Sequence, residues 1–557
     1  MRASSREGNS KVRGVLQVAA ILASILIIVY GVLITEDRAD PRWLGMLVVV
    51  GGLWGIALWP RRGYQLARSV RPLVHLALVL AVGFGLVTIQ VLRAQLLDRD
   101  RIFARASDPA AGVVDLRRYI AERQGERGRI LLSDGTVIAR DGTDGRGIRY
   151  RVYEGPSSYI AGYYSPGLYG AAGIERAFDR ELSGSSTSGW NAWLDGILHR
   201  TRRGNDVVLS VDPRLQELGQ TMLGERAGAA VLLDADSGAV LAFVSSPTFD
   251  PNQLSVPLGA PAEDVERARA YLEMLQKDGR GPLLLRPIQG LYVPGSIFKT
   301  VTAAAALQSG IATPTSVYRD DGALAVDSRV IIEQNRPDPT RVSFTLQEAY
   351  GYSLNVVFAQ VGLELGAQRL EEMARAVGFE ERIPFDLPVA PSQIAQTPDF
   401  LTSRAGIAET AFGQGQLLVT PLQMALLTAA VVRDGTMPEP YLVREIRSPD
   451  GGLIWSRQPK EWRRAFSGET AAALCDLMVW SVEHGYARPA RIDGVTVGGK
   501  TGTAEVGDRA PHAWFIGFAE RAGKRVVVAV VVEHGGSGVQ VALPIGRALL
   551  EAAVQGS

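Results

Sequence analysis

A serine and a lysine at positions 296 and 299 are the strongest candidates for chemistry in this chain of 557 residues. Pro294 and Gly295 precede them and predict a turn, and the alanine-rich run after Lys299 predicts a helix. Residues three apart share one face of a helix, so the lysine amine can reach the Ser296 hydroxyl. A lysine without its proton can accept the hydroxyl proton and activate the oxygen. The spacing therefore indicates covalent catalysis by a serine.

Two further motifs carry hydroxyl, amide and ammonium groups. Ser353 and Asn355 flank a single apolar residue, and their side chains converge if that residue points into the core. The run from Lys500 to Thr503 predicts a strand whose glycine, Gly502, allows an extended peptide to approach closely. Its lysine can hold a carboxylate and its threonines supply hydroxyls. Taken alone, each motif also fits an ordinary loop, cap or surface turn.

Residues 494–501 also satisfy the glycine–lysine pattern of a phosphate-binding loop. Such a loop needs a strand before it and a helix that begins at the lysine. Residues 488–493 make a poor strand, and the glycines and proline that follow Lys500 exclude a helix. Nucleotide binding is therefore not expected. His512 and His534 border predicted strands, and we interpret both as structural.

Three apolar stretches open the chain, at residues 14–34, 43–59 and 73–92. A bilayer core takes about 20 apolar residues and no fewer than about 17, so we predict a membrane anchor with three transmembrane helices over residues 1–97. Basic residues are concentrated in the N-terminal tail and in residues 60–72, which places both on the inner side of the membrane. With three crossings everything after residue 92 is expected on the outer side, whereas without a crossing at 43–59, the shortest stretch, the large domain would lie in the cytoplasm.

The rest of the chain has the composition of globular domains, with 46% apolar and 21% charged residues. A net charge of +1 gives no indication of a nucleic-acid partner, and one cysteine, Cys475, excludes a disulfide framework. Residues 98–205 predict a small β-containing, loop-rich domain, and residues 206–557 predict an α+β domain. Within the latter we expect a strand at 206–212, a helix at 213–223, a hairpin from 229–233 and 239–244, helical patterns over 263–480, strands at 512–519 and 525–533, and a closing helix at 542–554.

The three motifs, in this order and spacing, resemble those of the penicillin-binding proteins and serine β-lactamases. More of the chain, roughly residues 120–550, resembles class B penicillin-binding proteins, the monofunctional transpeptidases. The stretches that carry this likeness are Arg127–Ile130 with Gly135, Gly173–Glu175 with Phe178 and Asp179, Gly228–Ser246, Gly413–Gly415, and Thr420–Gln423. Two features depart from the family: Leu132 stands where an acid is frequent, and three predicted spans replace the usual single anchor.

The resemblance implies a transpeptidase domain over 206–557 with an antiparallel sheet and flanking helices. It would stand on a pedestal, or dimerisation-like domain, at 98–205, a segment too short for the glycosyltransferase of a bifunctional enzyme. The implied activity is that of a peptidoglycan D,D-transpeptidase in the bacterial cytoplasmic membrane, with its catalytic domain outside the cytoplasm. No metal or organic cofactor is implied.

The resemblance also implies a role for each motif residue. Ser296 attacks the penultimate D-Ala carbonyl of a stem peptide, and Lys299 is the general base. Ser353 relays a proton to the leaving amine, while Asn355 positions Lys299 and the substrate amide. The substrate-binding set is implied to be Lys500 and Thr501 at the terminal carboxylate, Gly502 beside the peptide, and the backbone N–H groups of Ser296 and Thr503 at the oxyanion.

The implied partners are peptidoglycan stem peptides as substrates, β-lactams as inhibitors that acylate Ser296, and membrane lipid. A SEDS-type glycan polymerase is implied as a partner of the membrane helices. Two alternatives use the same motifs. A β-lactamase or D,D-carboxypeptidase would pass the acyl group to water, whereas a β-lactam sensor or scaffold would not catalyse turnover. A sensor should carry a cytoplasmic effector, and the predicted inner segments are too short for one.

Overall fold

The computed structural model describes residues 4–35, 40–58, 70–96, 125–143, 149–184 and 203–556. The chain divides into two compact units, Met1–Ile120 and Ala121–Ser557. Most of the two predicted membrane loops, and residues 98–124, 144–148 and 185–202 of the predicted pedestal, lie outside the described residues. The domain boundaries expected after residues 97 and 205 stay predictions.

The described residues of the first unit form three long helices, α1 (Ser4–Ile34), α2 (Pro41–Leu58) and α3 (Arg71–Leu96). Each contains a stretch long and apolar enough to cross a membrane, and these stretches, Gly14–Ile34, Pro41–Leu58 and Pro72–Ala94, overlap the predicted spans. Large apolar side chains such as Leu26, Val48 and Phe84 face outward, as a lipid-exposed helix requires. The three helices therefore have the character of a membrane anchor.

Polar side chains join these helices near one end. Trp43 Nε1 of α2 donates to Gln90 Oε1 of α3 at 2.7 Å. The Arg93 guanidinium donates to Thr35 Oγ1 at 2.8 Å and lies 4.2 Å from the centre of a Trp43 ring. Polar groups buried among apolar helices are favourable only when they find such partners.

The described part of the second unit contains short helices and several sheets. Its strands are β1 (Ile130–Leu131), β2 (Val137–Thr143), β3 (Arg149–Tyr153), β4 (Tyr164–Ser165), β5 (Gly170–Ala171), β6 (Asp206–Leu209), β7 (Gly228–Asp234), β8 (Val240–Ser246), β9 (Val317–Arg319), β10 (Ala323–Val326), β11 (Arg329–Ile332), β12 (Ser343–Thr345), β13 (Thr436–Pro438), β14 (Val443–Arg447), β15 (Leu453–Ser456), β16 (Glu461–Arg464), β17 (Thr496–Val506), β18 (Arg509–Arg521) and β19 (Lys524–Val532). Its helices are α4 (Gly173–Ala177), α5 (Asp179–Leu182), α6 (Pro213–Leu223), α7 (Ala262–Lys277), α8 (Arg286–Gln289), α9 (Lys299–Gln308), α10 (Leu346–Gly351), α11 (Asn355–Ala376), α12 (Arg404–Ala411), α13 (Pro421–Val432), α14 (Gly468–Glu483) and α15 (Leu543–Gln555).

The central sheet has the order β17-β18-β19-β7-β8 and is antiparallel throughout. Strand β19 is apolar without a break from Val526 to Val532, because both faces of the sheet are covered. Val526, Val528 and Val530 pack in the core that includes α6 and α15. Val527 and Val531 point the other way, into the core that includes α9 and α13. This antiparallel sheet with flanking helices confirms the predicted α+β fold.

A second sheet has the order β15-β14-β6-β1-β2-β3, with β1 parallel to β6. It combines strands from before and after residue 205. Leu132, where the family often has an acid, is only 2% exposed and lies in the core. An apolar side chain therefore suits this position.

Helices dominate residues 263–480 as expected, but the structure adds short strands that the sequence did not predict. Helices α7 to α14 are there, but strands β9 to β16 interrupt them. Each of these strands has only three to five residues. Such strands are too short to show a period of two, and most of them pair in ribbons of two strands.

A buried ionic network holds β3, α4 and the segment before β1 together. Glu175 is fully buried and accepts from Arg127 Nε at 2.7 Å and from Arg151 Nε at 2.6 Å. Arg127 also bonds Asp179 at 2.7 Å, and Arg151 bonds Asp141 at 3.0 Å. Burial alone would raise the pKa of Glu175, but the two arginines hold it below its ordinary value. The carboxylate therefore stays charged in the folded protein.

We predict that Glu175→Gln lowers the free energy of unfolding by about 3–5 kcal/mol, because it leaves two arginines buried without their shared anion. Thermal and denaturant unfolding of the detergent-solubilised chain measure this loss. The matched control is Glu154→Gln, which breaks the exposed pair between Arg140 and Glu154 and should cost about 1 kcal/mol or less. Equal effects of the two substitutions would contradict the network.

Candidate active site

Ser296 lies in a 3₁₀ turn, Gly295–Phe298, that leads directly into α9 at Lys299. We call these four residues the serine turn. The position agrees with the predicted turn before a helix. Ser296 is 8% exposed, and among the described residues no hydrogen bond engages its hydroxyl. The oxygen is thus held at the surface of a buried turn.

Glycines allow the serine turn to lie close to its neighbours. Gly295 has φ +57° and its N–H donates to the Gly413 carbonyl at 2.8 Å. A Cβ on Gly413 would lie 1.7 Å from the Gly295 oxygen. On the other side, a Cβ on Gly502 would lie 3.0 Å from both Ile297 Cγ2 and the Pro294 oxygen. The turn is therefore fixed between Gly413 and strand β17.

Buried polar groups support the segment that precedes the serine turn. Trp514 Nε1 donates to the Val293 carbonyl at 3.0 Å. Glu533 Oε1 accepts from the Tyr292 hydroxyl at 2.8 Å and from Arg286 Nε at 2.7 Å. Burial, first, and the Glu533 carboxylate raise the pKa of Tyr292 above its ordinary value, so its hydroxyl keeps its proton and donates.

His512 belongs to the same region but makes structural contacts. Its Nδ1 accepts from the backbone N–H of His534 at 3.1 Å, and its ring meets the edge of Tyr292. Burial, with a smaller effect of His534, lowers the pKa of His512 to about 4. A neutral ring that accepts a backbone hydrogen bond agrees with the structural role expected for this residue.

Lys299 is completely buried and donates to the second motif. Its Nζ lies 2.7 Å from Asn355 Oδ1, 2.7 Å from the Ser353 carbonyl and 3.3 Å from Ser353 Oγ. Leu354, between the two motif residues, is fully buried, as their convergence requires. Ser353 has φ +61°, an uncommon conformation for a residue with a side chain. The first and second motifs thus meet directly.

Lys500 brings the third motif to the same hydroxyl. It lies inside β17, and its Nζ donates to Ser353 Oγ at 2.8 Å and to the Thr501 carbonyl at 3.0 Å. A strand through Lys500 is the wrong backbone for a phosphate-binding loop. Thr501 is 8% exposed and Thr503 is exposed, and the Thr503 hydroxyl accepts from the Gly538 N–H at 3.4 Å.

Burial lowers the proton affinity of both lysines, and the charge of Lys299 lowers that of Lys500 further. Desolvation lowers the pKa of Lys299 to about 7, against an opposing effect of the Glu333 carboxylate. Desolvation, joined by the charge of Lys299, lowers the pKa of Lys500 well below its ordinary value. Lys299 can therefore lose and regain a proton near neutral pH, as a general base must.

Two residues that the sequence motifs do not include also contact this site. Asn335 Nδ2 donates to the Ser353 carbonyl at 3.1 Å. Glu333 Oε2 accepts from the N–H of Val356, in the first turn of α11, at 2.9 Å. The polar run after the apolar strand β11 was the one sequence signal for them, and it is too common to single them out.

The arrangement has the parts needed for acyl transfer. It places a serine one helical turn before a buried lysine of lowered pKa, and a second buried lysine and two threonines lie on the edge strand β17. Strand β17 stands at the edge of the central sheet, so an extended peptide can align with it. These features indicate attack on an amide beside a carboxylate.

Comparison with known proteins gives matches over most of the chain. The family model for the penicillin-binding protein transpeptidase domain matches residues 228–551. The model for the penicillin-binding protein A dimerisation domain matches residues 127–207. Peptidoglycan D,D-transpeptidase PbpA of Mycolicibacterium smegmatis is 35% identical over 459 residues, which covers 79% of this chain and 91% of the relative. PbpA of Mycobacterium tuberculosis is 36% identical over 461 residues, with the same coverage.

Solved structures give the same result. Penicillin-binding protein A from M. tuberculosis, solved as an acyl-enzyme complex with ceftriaxone, has a TM-score of 0.70 and 34% identity and covers 78% of this chain and 99% of that one. The D,D-transpeptidase domain of a peptidoglycan glycosyltransferase from Eggerthella lenta has a TM-score of 0.67 and 32% identity, with coverage of 78% and 99%.

The burial of Lys299 predicts how stability depends on pH. Its folded pKa of about 7 lies below the ordinary lysine value of 10.5. Between these values the unfolded chain binds a proton that the folded chain has released, so the free energy of unfolding rises with pH. We expect Lys299→Met to flatten this rise in denaturant unfolding measured from pH 7 to 10.

The control for this measurement is Lys277→Met, since the Lys277 side chain is 74% exposed on α7. This variant should keep the slope of the parent protein. The same slope in the Lys299 variant would show that the folded protein does not shift the proton affinity of this amine.

Proposed function

The chain belongs to the class B penicillin-binding proteins, which are serine D,D-transpeptidases of peptidoglycan, and we propose that Ser296, Lys299, Ser353, Asn355 and Lys500 carry out its reaction. The enzyme cross-links stem peptides in cell wall synthesis through an acyl-enzyme, and β-lactams acylate the same serine. One observation carries the residue assignment above all others. The Ser353 hydroxyl accepts hydrogen bonds from both Lys299 and Lys500, so all three motifs meet at one atom.

Acylation begins with proton transfer from Ser296 to the neutral Lys299 amine. The Ser296 oxygen then attacks the penultimate D-Ala carbonyl, and the backbone N–H groups of Ser296 and Thr503 stabilise the oxyanion. When the amide C–N bond breaks, the terminal D-Ala leaves as an amine. It takes the proton from Lys299 through the Ser353 hydroxyl, a path that the contacts of 3.3 Å and 2.8 Å around Ser353 Oγ support.

Substrate binding uses the exposed edge of β17. The stem peptide lies along this strand as an additional strand, with Gly502 leaving room for its backbone. The Lys500 ammonium and the Thr501 hydroxyl hold the terminal carboxylate. Asn355 orients the substrate amide while its Oδ1 keeps Lys299 in place at 2.7 Å. These contacts select a peptide that ends in a free carboxylate, a feature that the β-lactam carboxylate reproduces.

Transfer repeats the chemistry with a second stem peptide. Its amine attacks the acyl-enzyme carbonyl, gives up a proton through Lys299, and releases Ser296 as the hydroxyl. The product is a new amide cross-link, and the enzyme returns to its starting state. Water in place of the amine would give hydrolysis, so product analysis separates the transpeptidase from a carboxypeptidase or β-lactamase.

The three apolar helices anchor the enzyme in the membrane. We propose that all three cross it, so that the protein is multi-pass, with the basic N-terminal tail and residues 60–72 inside. This topology places the catalytic domain outside the cytoplasm, where peptidoglycan is cross-linked. Lipid then surrounds outward side chains such as Leu26 and Phe84. A SEDS-type glycan polymerase is the proposed partner of these helices.

Ser296→Ala is expected to abolish covalent labelling by a fluorescent penicillin, because the attacking oxygen is removed. Gel fluorescence of the full-length protein measures the label, and analysis of cross-linked products in the same preparation measures turnover. Ser309→Ala is the control, since Ser309 lies at the other end of α9 and its hydroxyl bonds the Ala305 carbonyl. Label that persists in the Ser296 variant would exclude this serine as the nucleophile.

Gly502→Val is expected to slow acylation by roughly 100-fold without unfolding the protein. Its Cβ would lie 3.0 Å from Ile297, Pro294 and Trp514, so the serine turn must shift, and displacements of about 1 Å have effects of this size. The second-order rate of labelling by the same penicillin measures the change. Gly279→Val, where a Cβ meets open space, should label at the parent rate. An unchanged rate in the Gly502 variant would separate β17 from the reacting serine.

A further inference from the structure

The charge of Lys299 depends on groups that several segments bring to it. Lys500 faces it from β17, and Tyr350 of α10 lies under the Lys500 amine, 5.6 Å from Nζ to ring centre. The Tyr486 hydroxyl is one contact further from Lys299, and it donates to the Asn335 carbonyl at 2.7 Å. Among the described residues, the acid whose charge acts on Lys299 is Glu333. The contacts that hold Glu333 in place therefore influence the protonation of Lys299.

Glu333 is tied to the start of α11 and to its own segment. Its Oε2 accepts from the Val356 N–H at 2.9 Å, and its Oε1 accepts from the N–H groups of Gln334 and Asn335, both at 3.0 Å. The residue at the cap of α11, Leu354, has no side chain able to cap a helix. Glu333 thus supplies from a distant segment the acceptor that the helix start lacks.

Asn335 extends this support to the strained residue of the site. Its Nδ2 donates to the Ser353 carbonyl at 3.1 Å, the same oxygen that Lys299 contacts at 2.7 Å. Ser353 holds φ +61°, a left-handed conformation that a residue with a side chain keeps only where its neighbours fix it. Within the described part of the chain, Asn335 and Lys299 are the two groups that donate to this carbonyl.

We propose that Glu333 and Asn335 are positioning residues for the transpeptidation reaction. Glu333 holds the start of α11, whose first residue Asn355 contacts Lys299, and Asn335 holds Ser353 in its left-handed conformation. This inference rests on the proposed function, because it takes Lys299 as the base. Neither residue touches the reacting atoms, so each acts through Lys299 or Ser353.

The proposal separates the effects of the two residues. The Glu333 carboxylate opposes the desolvation that lowers the pKa of Lys299. Without this charge the pKa of Lys299 falls further, so the neutral amine is present at lower pH but is a weaker base. Asn335 carries no charge, and its loss should leave the pKa of Lys299 in place while Ser353 relaxes.

The test is the pH dependence of acylation of the full-length protein in detergent by a fluorescent penicillin. Glu333→Gln should move the acid limb of the profile to lower pH by about half a unit or more and lower the plateau rate about 10-fold. Glu333→Asp keeps the charge, so its acid limb should stay near that of the parent while its rate falls. Thermal unfolding confirms that each variant is folded.

Asn335→Ala should lower the plateau about 10-fold with no movement of the acid limb. The matched control is Glu348→Gln: Glu348 caps the start of α10 through the Thr345 N–H at 2.9 Å but does not contact either lysine. Its removal should lower the melting temperature and leave the pH profile unchanged. This control separates loss of a helix cap from loss of the charge beside Lys299.

Two results would overturn the proposal: a Glu333→Gln profile with an unmoved acid limb, or an Asn335→Ala plateau equal to that of the parent. Failure of the underlying assignment is distinguishable from either. If Ser296→Ala still labels, the nucleophile is wrong. If Ser296→Ala loses its label while the Glu333 and Asn335 variants behave as the parent, the function stands and only this inference fails.

Discussion

One hydroxyl group, that of Ser353, accepts hydrogen bonds from two buried lysines, and the rest of the second unit is arranged around this contact. Removing an ammonium from water costs several kcal/mol unless it finds partners or loses its proton. Lys299 and Lys500 do both, since each has oxygen acceptors and each has a lowered pKa. The burial of these two amines therefore destabilises the folded protein, and the same burial makes Lys299 available as a base.

This contact requires three distant segments to arrive at fixed positions. Strand β17 forms one edge of the central sheet. Alternate residues of β19 pack into two cores, one on each face of that sheet. Close packing of Gly295 against Gly413, and of Gly502 against the serine turn, sets the nucleophile against the strand. Interiors packed this densely cannot shift one segment without the others, so a remote change in volume reaches the serine.

The sequence could predict residues whose chemistry is local, and much less of what acts through tertiary contacts. Lys299 and Asn355 stand in short motifs whose spacing implies a shared face, and the apolar run of β19 identifies a strand covered on both sides. The support from Glu333 is different, because it joins a loop to a helix start that is 23 residues away along the chain. No period or propensity encodes that pairing. The same holds for Glu533, which meets Arg286 across 247 residues.

These remote contacts are what allow a strained site to persist. Glu533 fixes the approach to the serine turn through Tyr292, and Glu333 fixes the start of α11, so the segments that carry Ser296 and Asn355 are anchored by separate carboxylates. Loss of the contact from Asn335 would let Ser353 leave φ +61°, and loss of the contact from Glu533 would release Tyr292 before the serine turn, so either change would displace reacting groups. The cost of holding the site must therefore be met by the two cores of the central sheet. Buried groups outside the motifs therefore help to hold the motif residues in place.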